Sequence, residues 1–112
     1  MARDVRFQDC LPHTGVAVVP VEGEIDLATV PGLRARLAVA VGDQACECLV
    51  VDLDGVGFLD ASGVGALVAA HHAMAARGGR VVLARPRPPV ARVLEILGME
   101  RLFDIVRAPA VR

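Results

Sequence analysis

The apolar positions of this chain fall into short continuous runs separated by segments in which they recur every three or four residues. A short apolar run bounded by polar or glycine residues is typical of a strand, and a run without alternation suits a strand that is covered on both faces. We expect residues 48–53 to be such a central strand, and the first two runs to form an antiparallel pair. The runs predict strands over residues 5–7, 16–21, 48–53 and 80–84.

Three intervening segments have the period of an amphipathic helix. The first follows Thr29, which is placed to cap it, and ends near Gly42. The second ends at the glycines from Gly78, and the third ends at Gly98. Their apolar stripes consist of Val30, Leu33, Leu37 and Val41, then Val64, Leu67, Val68, His71 and Ala75, and finally Val90, Val93, Leu94 and Leu97.

The order of these elements predicts the fold class. A strand, a helix and a second strand imply a parallel crossover, which is right-handed in nearly all proteins. Residues 103–106 add an edge strand or a closing helix. We expect an α/β fold in its α+β variant, with a mixed, mostly parallel sheet of four to five strands and helices packed against it. The length of 112 residues fits one domain over residues 1–112.

Composition narrows the possible functions. Hydrophobic residues make up 54% of the chain, enough for a core without metals or disulfides. The formal net charge of -1 provides no global positive field, so we expect no nucleic-acid binding. All 12 basic residues are arginines, which excludes the lysine of a P-loop and any Schiff base. Ser62 is the only serine, so serine chemistry has one candidate.

The cysteines indicate neither a disulfide framework nor a metal site. Cys10, Cys46 and Cys48 are odd in number, and adding His13 does not produce a recognised zinc spacing. No apolar run approaches the length of a membrane span, and the N-terminus lacks a signal-peptide pattern. We therefore expect a cytoplasmic protein without membrane insertion, metal or cofactor.

Acidic and hydroxyl residues follow two of the predicted strands, at the ends where parallel sheets collect functional groups. One segment spans residues 22–26 and the other spans residues 54–63, and we expect both to be loops. If the two strands are adjacent and parallel, the loops share one edge of the domain. That edge would hold Glu24, Asp26, Asp60 and Ser62.

Two interpretations of this edge follow from the residues. In the first, Asp60 or Ser62 caps the second helix by accepting a hydrogen bond from a free backbone N–H. Glu24 and Asp26 are then solvated loop carboxylates, or Asp26 is itself a cap. Capping leaves Gly63 and Gly65 unexplained, because each costs a helix about 1 kcal/mol relative to alanine. Such a cost is consistent with the close approach of a partner surface or a phosphoryl donor.

Three segments resemble a STAS domain of the anti-sigma factor antagonist type, and the resemblance covers nearly the whole chain. They are residues 22–26, residues 51–53 and, above all, residues 58–67, Phe-Leu-Asp-Ala-Ser-Gly-Val-Gly-Ala-Leu. The resemblance implies a protein without enzymatic activity that binds an anti-sigma factor with serine kinase activity. Phosphorylation of Ser62 would release this partner and so control sigma-factor-dependent transcription, and a serine phosphatase would reset the chain. Ala61 stands where the family often has another serine, which removes a hydroxyl but retains the acceptor.

The resemblance also implies which residues contact the partner. Asp60 would be an orienting and docking residue for the partner. A phosphate of about -1.5 to -2 charges beside Asp60 would weaken partner binding without unfolding the chain. We expect a monomer or a weak dimer. The implied partner-binding residues are Glu24, Asp26, Asp60, Ala61, Ser62, Gly63 and Gly65.

Other functions have less support from the residues. A nucleophile elbow needs glycine where Asp60 stands, and His71 and His72 lie on or beside an apolar stripe, where a packed imidazole is expected. A phospho-accepting receiver domain uses a lysine that this chain lacks. The remaining alternative is a STAS adaptor or scaffold subunit, for example of a lipid transporter or signalling complex, in which Ser62 is only a cap.

Overall fold

The computed structural model describes residues 15–107, in which strands and helices alternate. The expected strand over residues 5–7, its antiparallel pairing, Cys10 and His13 lie outside the described residues. The elements are β1 (Val16–Ile25), α1 (Val30–Gly42), β2 (Cys48–Leu59), α2 (Ala61–Ala75), β3 (Arg80–Ala84), α3 (Pro88–Ile96), a short 3-10 turn (Met99–Arg101) and β4 (Asp104–Val106).

The described strands form one sheet in the order β1-β2-β3-β4, and every pairing among them is parallel. Each helix joins one strand to the next, so right-handed crossovers place all three helices on the same face. Leu37, Leu67 and Leu94, one from each helix, accordingly belong to a single buried cluster. The parallel α/β fold is confirmed, and residues 104–106 supply the edge strand.

The core lies between the helices and the sheet, and the alternation of β2 divides its side chains between two faces. Leu49, Val51 and Leu53 point toward the helices and are buried. Burial of each such side chain contributes roughly 1.5 to 3 kcal/mol. Cys48 and Val50 point to the opposite face, where they join a second buried cluster. The central strand is therefore covered on both faces, as the continuous apolar run predicts.

Both β1 and β2 continue beyond their apolar runs, so the expectation of loops over residues 22–25 and 54–59 was wrong. Glu24 pairs with Phe58, and Ile25 pairs with Leu59, after two shifts of register. The two strands hydrogen-bond to each other along this stretch, and that pairing outweighs the low strand propensity of its glycines. The two strands consequently end side by side.

The first turn of α2 packs directly on these strand ends, and Gly63 makes the packing possible. A Cβ at position 63 would lie 2.7 Å from Cγ2 of Ile25 and closer still to Cδ1 of Leu59. Gly63 is buried, so packing within the chain explains why this position has no side chain. This corrects the interpretation that Gly63 allows the close approach of a partner surface. Gly65 is exposed, and a Cβ there would meet only the Nη2 atom of Arg34, at 3.8 Å.

We predict opposite effects for alanine at these two glycines of α2. Gly63→Ala forces Ile25 or Leu59 to move and should lower the free energy of unfolding by about 1 to 3 kcal/mol. Gly65→Ala has room for its Cβ and should leave stability unchanged or raise it by up to about 1 kcal/mol through helix propensity. Urea unfolding followed by circular dichroism measures both, and a Gly63→Ala variant as stable as wild type would contradict the packing argument.

Candidate functional site

The carboxyl ends of β1 and β2 meet at one edge of the sheet and bring the acidic residues together. Because Ile25 and Leu59 are register partners, the residues that follow them, Asp26 and Asp60, leave the sheet side by side. The backbone N–H of Asp60 donates to the carbonyl oxygen of Ile25 at 3.2 Å, which ties the two segments to each other. We call this surface, with Glu24, Asp26, Asp60 and Ser62, the acidic edge.

Asp60 caps α2 and binds the hydroxyl of Ser62 at the same time. Its Oδ1 atom accepts hydrogen bonds from the backbone N–H of Ser62 at 2.9 Å and of Gly63 at 3.3 Å. The same oxygen accepts from Oγ of Ser62 at 2.6 Å. Asp60, rather than Ser62, is therefore the capping side chain of this helix.

These hydrogen bonds keep the carboxyl group of Asp60 ionised. The Ser62 hydroxyl is the largest influence that lowers the pKa of Asp60; partial burial raises it, and the N–H groups of Gly63 and Ser62 lower it further. The pKa lies below its ordinary value as a result. Ser62 is half-buried, and its hydroxyl is oriented by a carboxylate acceptor rather than free to rotate.

Asp26 and Thr29 build the turn between β1 and α1. The Oδ1 atom of Asp26 accepts from the backbone N–H groups of Ala28 at 3.0 Å and Thr29 at 3.1 Å. Thr29 occupies the position before the helix, but its hydroxyl donates to the carbonyl oxygen of Glu24 at 2.7 Å and caps no helical N–H. The predicted capping by the Thr29 side chain was wrong, because the turn uses this hydroxyl to hold the end of β1.

Glu24 differs from the other acidic residues of the edge because its carboxylate is uncommitted. This side chain is exposed, and its carboxylate has neither a hydrogen bond nor an ion pair with any residue in the range 15–107. It lines a recess of about 290 Å³ beside β1, opposite Arg36. Glu24 can therefore bind an external cation without first breaking an internal contact.

Two large apolar side chains flank the acidic edge, and the sequence analysis did not include them among the site residues. Leu27 is 77% exposed in the turn after β1, and Phe58 is 48% exposed near the end of β2. An exposed apolar group beside charged residues is common at the centre of protein interfaces. One feature of the sequence could have identified this apolar surface: Leu27 is an apolar residue inside a turn of otherwise small or polar residues.

The remaining predicted site residues lie in the first turn of α2. Ala61 and Gly65 are exposed, whereas Gly63 is buried beneath them. Gly63 therefore serves the site by letting α2 approach the strands. The exposed surface of this turn consists of Ala61, Ser62 and Gly65.

The two histidines of the described region, His71 and His72, lie away from the acidic edge. His71 is nine residues after Ser62 on α2, which corresponds to about 13 Å along the helix axis. Its ring packs against Phe103 in an edge-on arrangement, with centroids 5.5 Å apart. The packed imidazole expected from the sequence is present at His71. Within residues 15–107, the base that contacts the Ser62 hydroxyl is the carboxylate of Asp60.

The other carboxylates near the sheet edge are paired within the chain. Asp52 accepts hydrogen bonds from Nε of Arg85 at 3.2 Å and from Nη2 of Arg85 at 2.7 Å. Burial raises the pKa of Asp52, but the Arg85 hydrogen bonds outweigh it and leave that pKa below its ordinary value. Nη2 of Arg85 also lies 3.8 Å from Oδ2 of Asp54, and Arg87 donates to the backbone carbonyl oxygen of Asp54. Residues 15–107 contain no group of three or more His, Cys, Asp or Glu side chains arranged to hold a metal.

The cysteine side chains of the described region are buried at the start of β2. Cys46 and Cys48 are both unoxidised, and Sγ of Cys46 donates to the carbonyl oxygen of Cys48 at 3.8 Å. Burial raises the pKa of the Cys46 thiol. Within residues 15–107, moreover, none of the helices is both long enough and apolar enough to cross a bilayer.

Comparison with known proteins finds anti-sigma factor antagonists among the relatives of this chain. The anti-sigma F factor antagonist of Paenibacillus polymyxa is 30% identical over 93 residues, which cover 83% of this chain and 80% of the relative. A crystal structure of an anti-sigma factor antagonist from Mycobacterium paratuberculosis has a TM-score of 0.75 at 32% identity, covering 84% of this chain and 79% of that one.

A second solved relative is known in two covalent states. The anti-sigma factor antagonist SpoIIAA in its unphosphorylated form has a TM-score of 0.70 at 26% identity, covering 81% of this chain and 79% of that one. The phosphorylated form of the Bacillus cell fate determinant SpoIIAA has a TM-score of 0.64 at 25% identity, covering 82% of this chain and 83% of that one. The family model of the STAS domain matches residues 11–110. The chain therefore belongs to the STAS domain family.

Proposed function

We propose that this protein is an anti-sigma factor antagonist that binds an anti-sigma factor through the acidic edge and is released when Ser62 is phosphorylated. The observation that carries the proposal is the Ser62 hydroxyl, which is half-buried at the start of α2 and held 2.6 Å from the Asp60 carboxylate. The names of the relatives support the antagonist function. SpoIIAA, whose structure is known with and without the phosphate, supports a phosphorylation switch.

Ser62 is the hydroxyl best placed for modification in the described region. Thr29 also carries a hydroxyl, but that group donates to a backbone carbonyl and stabilises the turn before α1. Oγ of Ser62 donates only to the Asp60 carboxylate and holds no turn together. A kinase can therefore reach Ser62 without dismantling a turn.

Phosphorylation of Ser62 requires a nucleotide, which the partner supplies. This chain contributes the Ser62 hydroxyl and the Asp60 carboxylate beside it. Oγ of Ser62 attacks the terminal phosphorus of ATP bound to the anti-sigma factor kinase, and the bond from that phosphorus to the leaving ADP oxygen breaks. The serine proton departs toward the solvent or toward Oδ1 of Asp60, which already accepts its hydrogen bond. Asp60 is thus a positioning residue that directs the Oγ lone pairs outward.

Phosphorylation would change the electrostatics of the acidic edge more than its fold. The phosphate brings about -1.5 to -2 charges to a surface that already carries Glu24, Asp26 and Asp60. A partner selected for this surface presents cations to the carboxylates and an apolar pocket to Leu27 and Phe58. The added charge and bulk in the middle of this contact weaken binding, and a serine phosphatase restores it. Sigma factors act in the cytoplasm, where we place the protein.

We predict that Ser62 variants separate binding from modification. Ser62→Ala keeps the hydrogen bond from the backbone N–H to Asp60 and should bind the anti-sigma factor as wild type does. Ser62→Asp places a second carboxylate beside Asp60 and should weaken binding by at least about tenfold, because like charges in an interface cost several kcal/mol. Calorimetry with the anti-sigma factor recovered on immobilised wild-type protein measures the affinities.

Intact-mass analysis after incubation with that partner and ATP tests the modification itself. Wild type and the control Thr29→Val should each gain one phosphate, and Ser62→Ala should gain none. Equal affinity of all Ser62 variants with no mass change would leave a constitutive adaptor as the better description.

We predict that Glu24 contributes to partner binding but not to stability. Glu24→Gln removes a carboxylate that has no partner in the described region, so the unfolding midpoint should not change. Affinity for the anti-sigma factor should fall about threefold to tenfold, with a weaker dependence on salt. Glu95→Gln, on the exposed surface of α3, is the matched control and should retain full affinity. A similar loss in both variants would indicate a general charge effect instead of a contact at Glu24.

We predict that the stabilisation provided by Asp60 depends on pH. Its pKa is lower in the folded state, so its contribution is fully present above the ordinary aspartate value of about 3.9 and is lost as the pH falls through the folded-state value. Urea unfolding should show a stability difference between wild type and Asp60→Ala that is smaller at pH 3 than at pH 7. Ser62→Ala, which removes the strongest donor to Asp60, should reduce this pH dependence. A difference that is the same at both pH values would show that Asp60 is not an ionised cap.

A further inference from the structure

Arg34 is an uncommitted cation beside the first turn of α2. Its Nη2 atom lies 3.8 Å from the point that a Cβ of residue 65 would occupy, so the guanidinium reaches across from α1 to α2. Arg34 is exposed, and its guanidinium makes no hydrogen bond or ion pair with the rest of residues 15–107. Its position is therefore not explained by an internal salt bridge.

Ser62 and Arg34 belong to the same end of the groove between α1 and α2. This groove has a volume of about 280 Å³, and α2 lines it with Ala66, Ala69 and Ala73, which recur at helical spacing. Ser62 precedes Ala66 by four residues and is therefore on the same stripe, about one turn toward the start of the helix. Arg34 is the first residue of α1 that lines the groove, and Ser62 lies one turn before Ala66, the first residue of α2 that does, so both are at the end formed by the helix starts.

We infer that Arg34 is the intramolecular binding partner of the phosphoryl group on Ser62. Two guanidinium N–H groups would donate to two phosphoryl oxygens, an arrangement for which the planar guanidinium is well suited. The inference rests on the proposed function in one respect, namely that Ser62 is the modified residue.

The start of α2 alone does not provide such a site, because Asp60 already occupies its amides. Oδ1 of Asp60 accepts from the N–H groups of both Ser62 and Gly63. Phosphorylation also removes the Oγ proton that Asp60 now accepts, so two negative groups would face each other. A cation is needed to balance them, and Arg34 is the uncommitted one that the geometry places beside this turn.

The consequence for the switch is that phosphorylation changes two charges on the binding face. In the unmodified chain the Arg34 guanidinium is open to an acidic group of the partner, next to the carboxylates of the acidic edge. In the phosphorylated chain Arg34 is neutralised by the phosphate and is withdrawn from the partner. The same contact offsets the repulsion between the phosphate and Asp60, which keeps α2 folded.

The test uses phosphoserine installed at position 62 during synthesis, so it needs neither kinase nor partner. Phosphorus NMR then measures the second pKa of the phosphate, about 6 for free phosphoserine, in otherwise wild-type, Arg34→Ala, Arg34→Lys and Arg36→Ala proteins. Arg36 lies on the same helix and carries the same charge but lines the recess with Glu24 on another side of α1. Asp60, Asp26 and Glu24 raise the phosphate pKa equally in all four proteins.

We expect Arg34→Ala to raise the phosphate pKa by about half a unit or more, because a cation in contact favours the dianion. Arg34→Lys should give an intermediate value, since it keeps the charge and loses the paired donors. Arg36→Ala should match the wild-type value. Identical values in the wild-type and Arg34→Ala proteins, or equal shifts in Arg34→Ala and Arg36→Ala, would overturn the inference.

Failure of this inference is distinguishable from failure of the proposed function. The NMR result depends only on where Arg34 lies relative to a phosphate at position 62. The proposed function instead depends on the partner's affinity for the Ser62 variants and on the mass gained with ATP. The unphosphorylated Arg34→Ala protein should unfold at the wild-type midpoint, which shows that any pKa change is not caused by misfolding.

Discussion

The parallel pairing of β1 with β2 up to the last residue of each strand is the interaction on which the site depends. It places Ile25 beside Leu59, so that the backbone N–H of Asp60 can donate to the carbonyl oxygen of Ile25. Gly63 lets α2 settle on these two side chains. Any change that separates the two strand ends would therefore move the acidic carboxylates and the start of α2 together.

Asp60 combines two tasks that are usually separate in proteins. As a helix cap it satisfies backbone N–H groups that would otherwise lack partners. With the same oxygen it orients the hydroxyl of Ser62. Both tasks need the ionised form, and the donors that surround the carboxylate lower its pKa. Because one oxygen performs both tasks, the stability of α2 depends on the covalent state of Ser62. Phosphorylation of Ser62 would remove one of the three donors to Oδ1 of Asp60.

The charges around Ser62 also explain how the proposed phosphorylation would alter binding without a large change in fold. Asp26 is held by the turn before α1, so it contributes charge from a rigid position. Glu24 and Arg34 are exposed and uncommitted, so they are available to a partner. Leu27 and Phe58 add apolar area around them. Specificity in such a surface comes from the arrangement of opposite charges, and affinity comes from the apolar groups that exclude water between them.

The sequence by itself determined the three helices, the apolar part of each long strand, a mostly parallel sheet and the identity of Ser62 as the only serine, because period, apolar runs and residue inventory are local properties of the chain. Only the tertiary structure decided that residues 54–59 are strand, since their hydrogen-bond partners come from a segment about thirty residues earlier. It also decided that Gly63 serves internal packing, that Thr29 holds a turn and that Arg34 reaches α2. In each case the deciding contact involves an atom that is distant along the chain or is engaged in a competing hydrogen bond. A local sequence pattern does not predict such a contact.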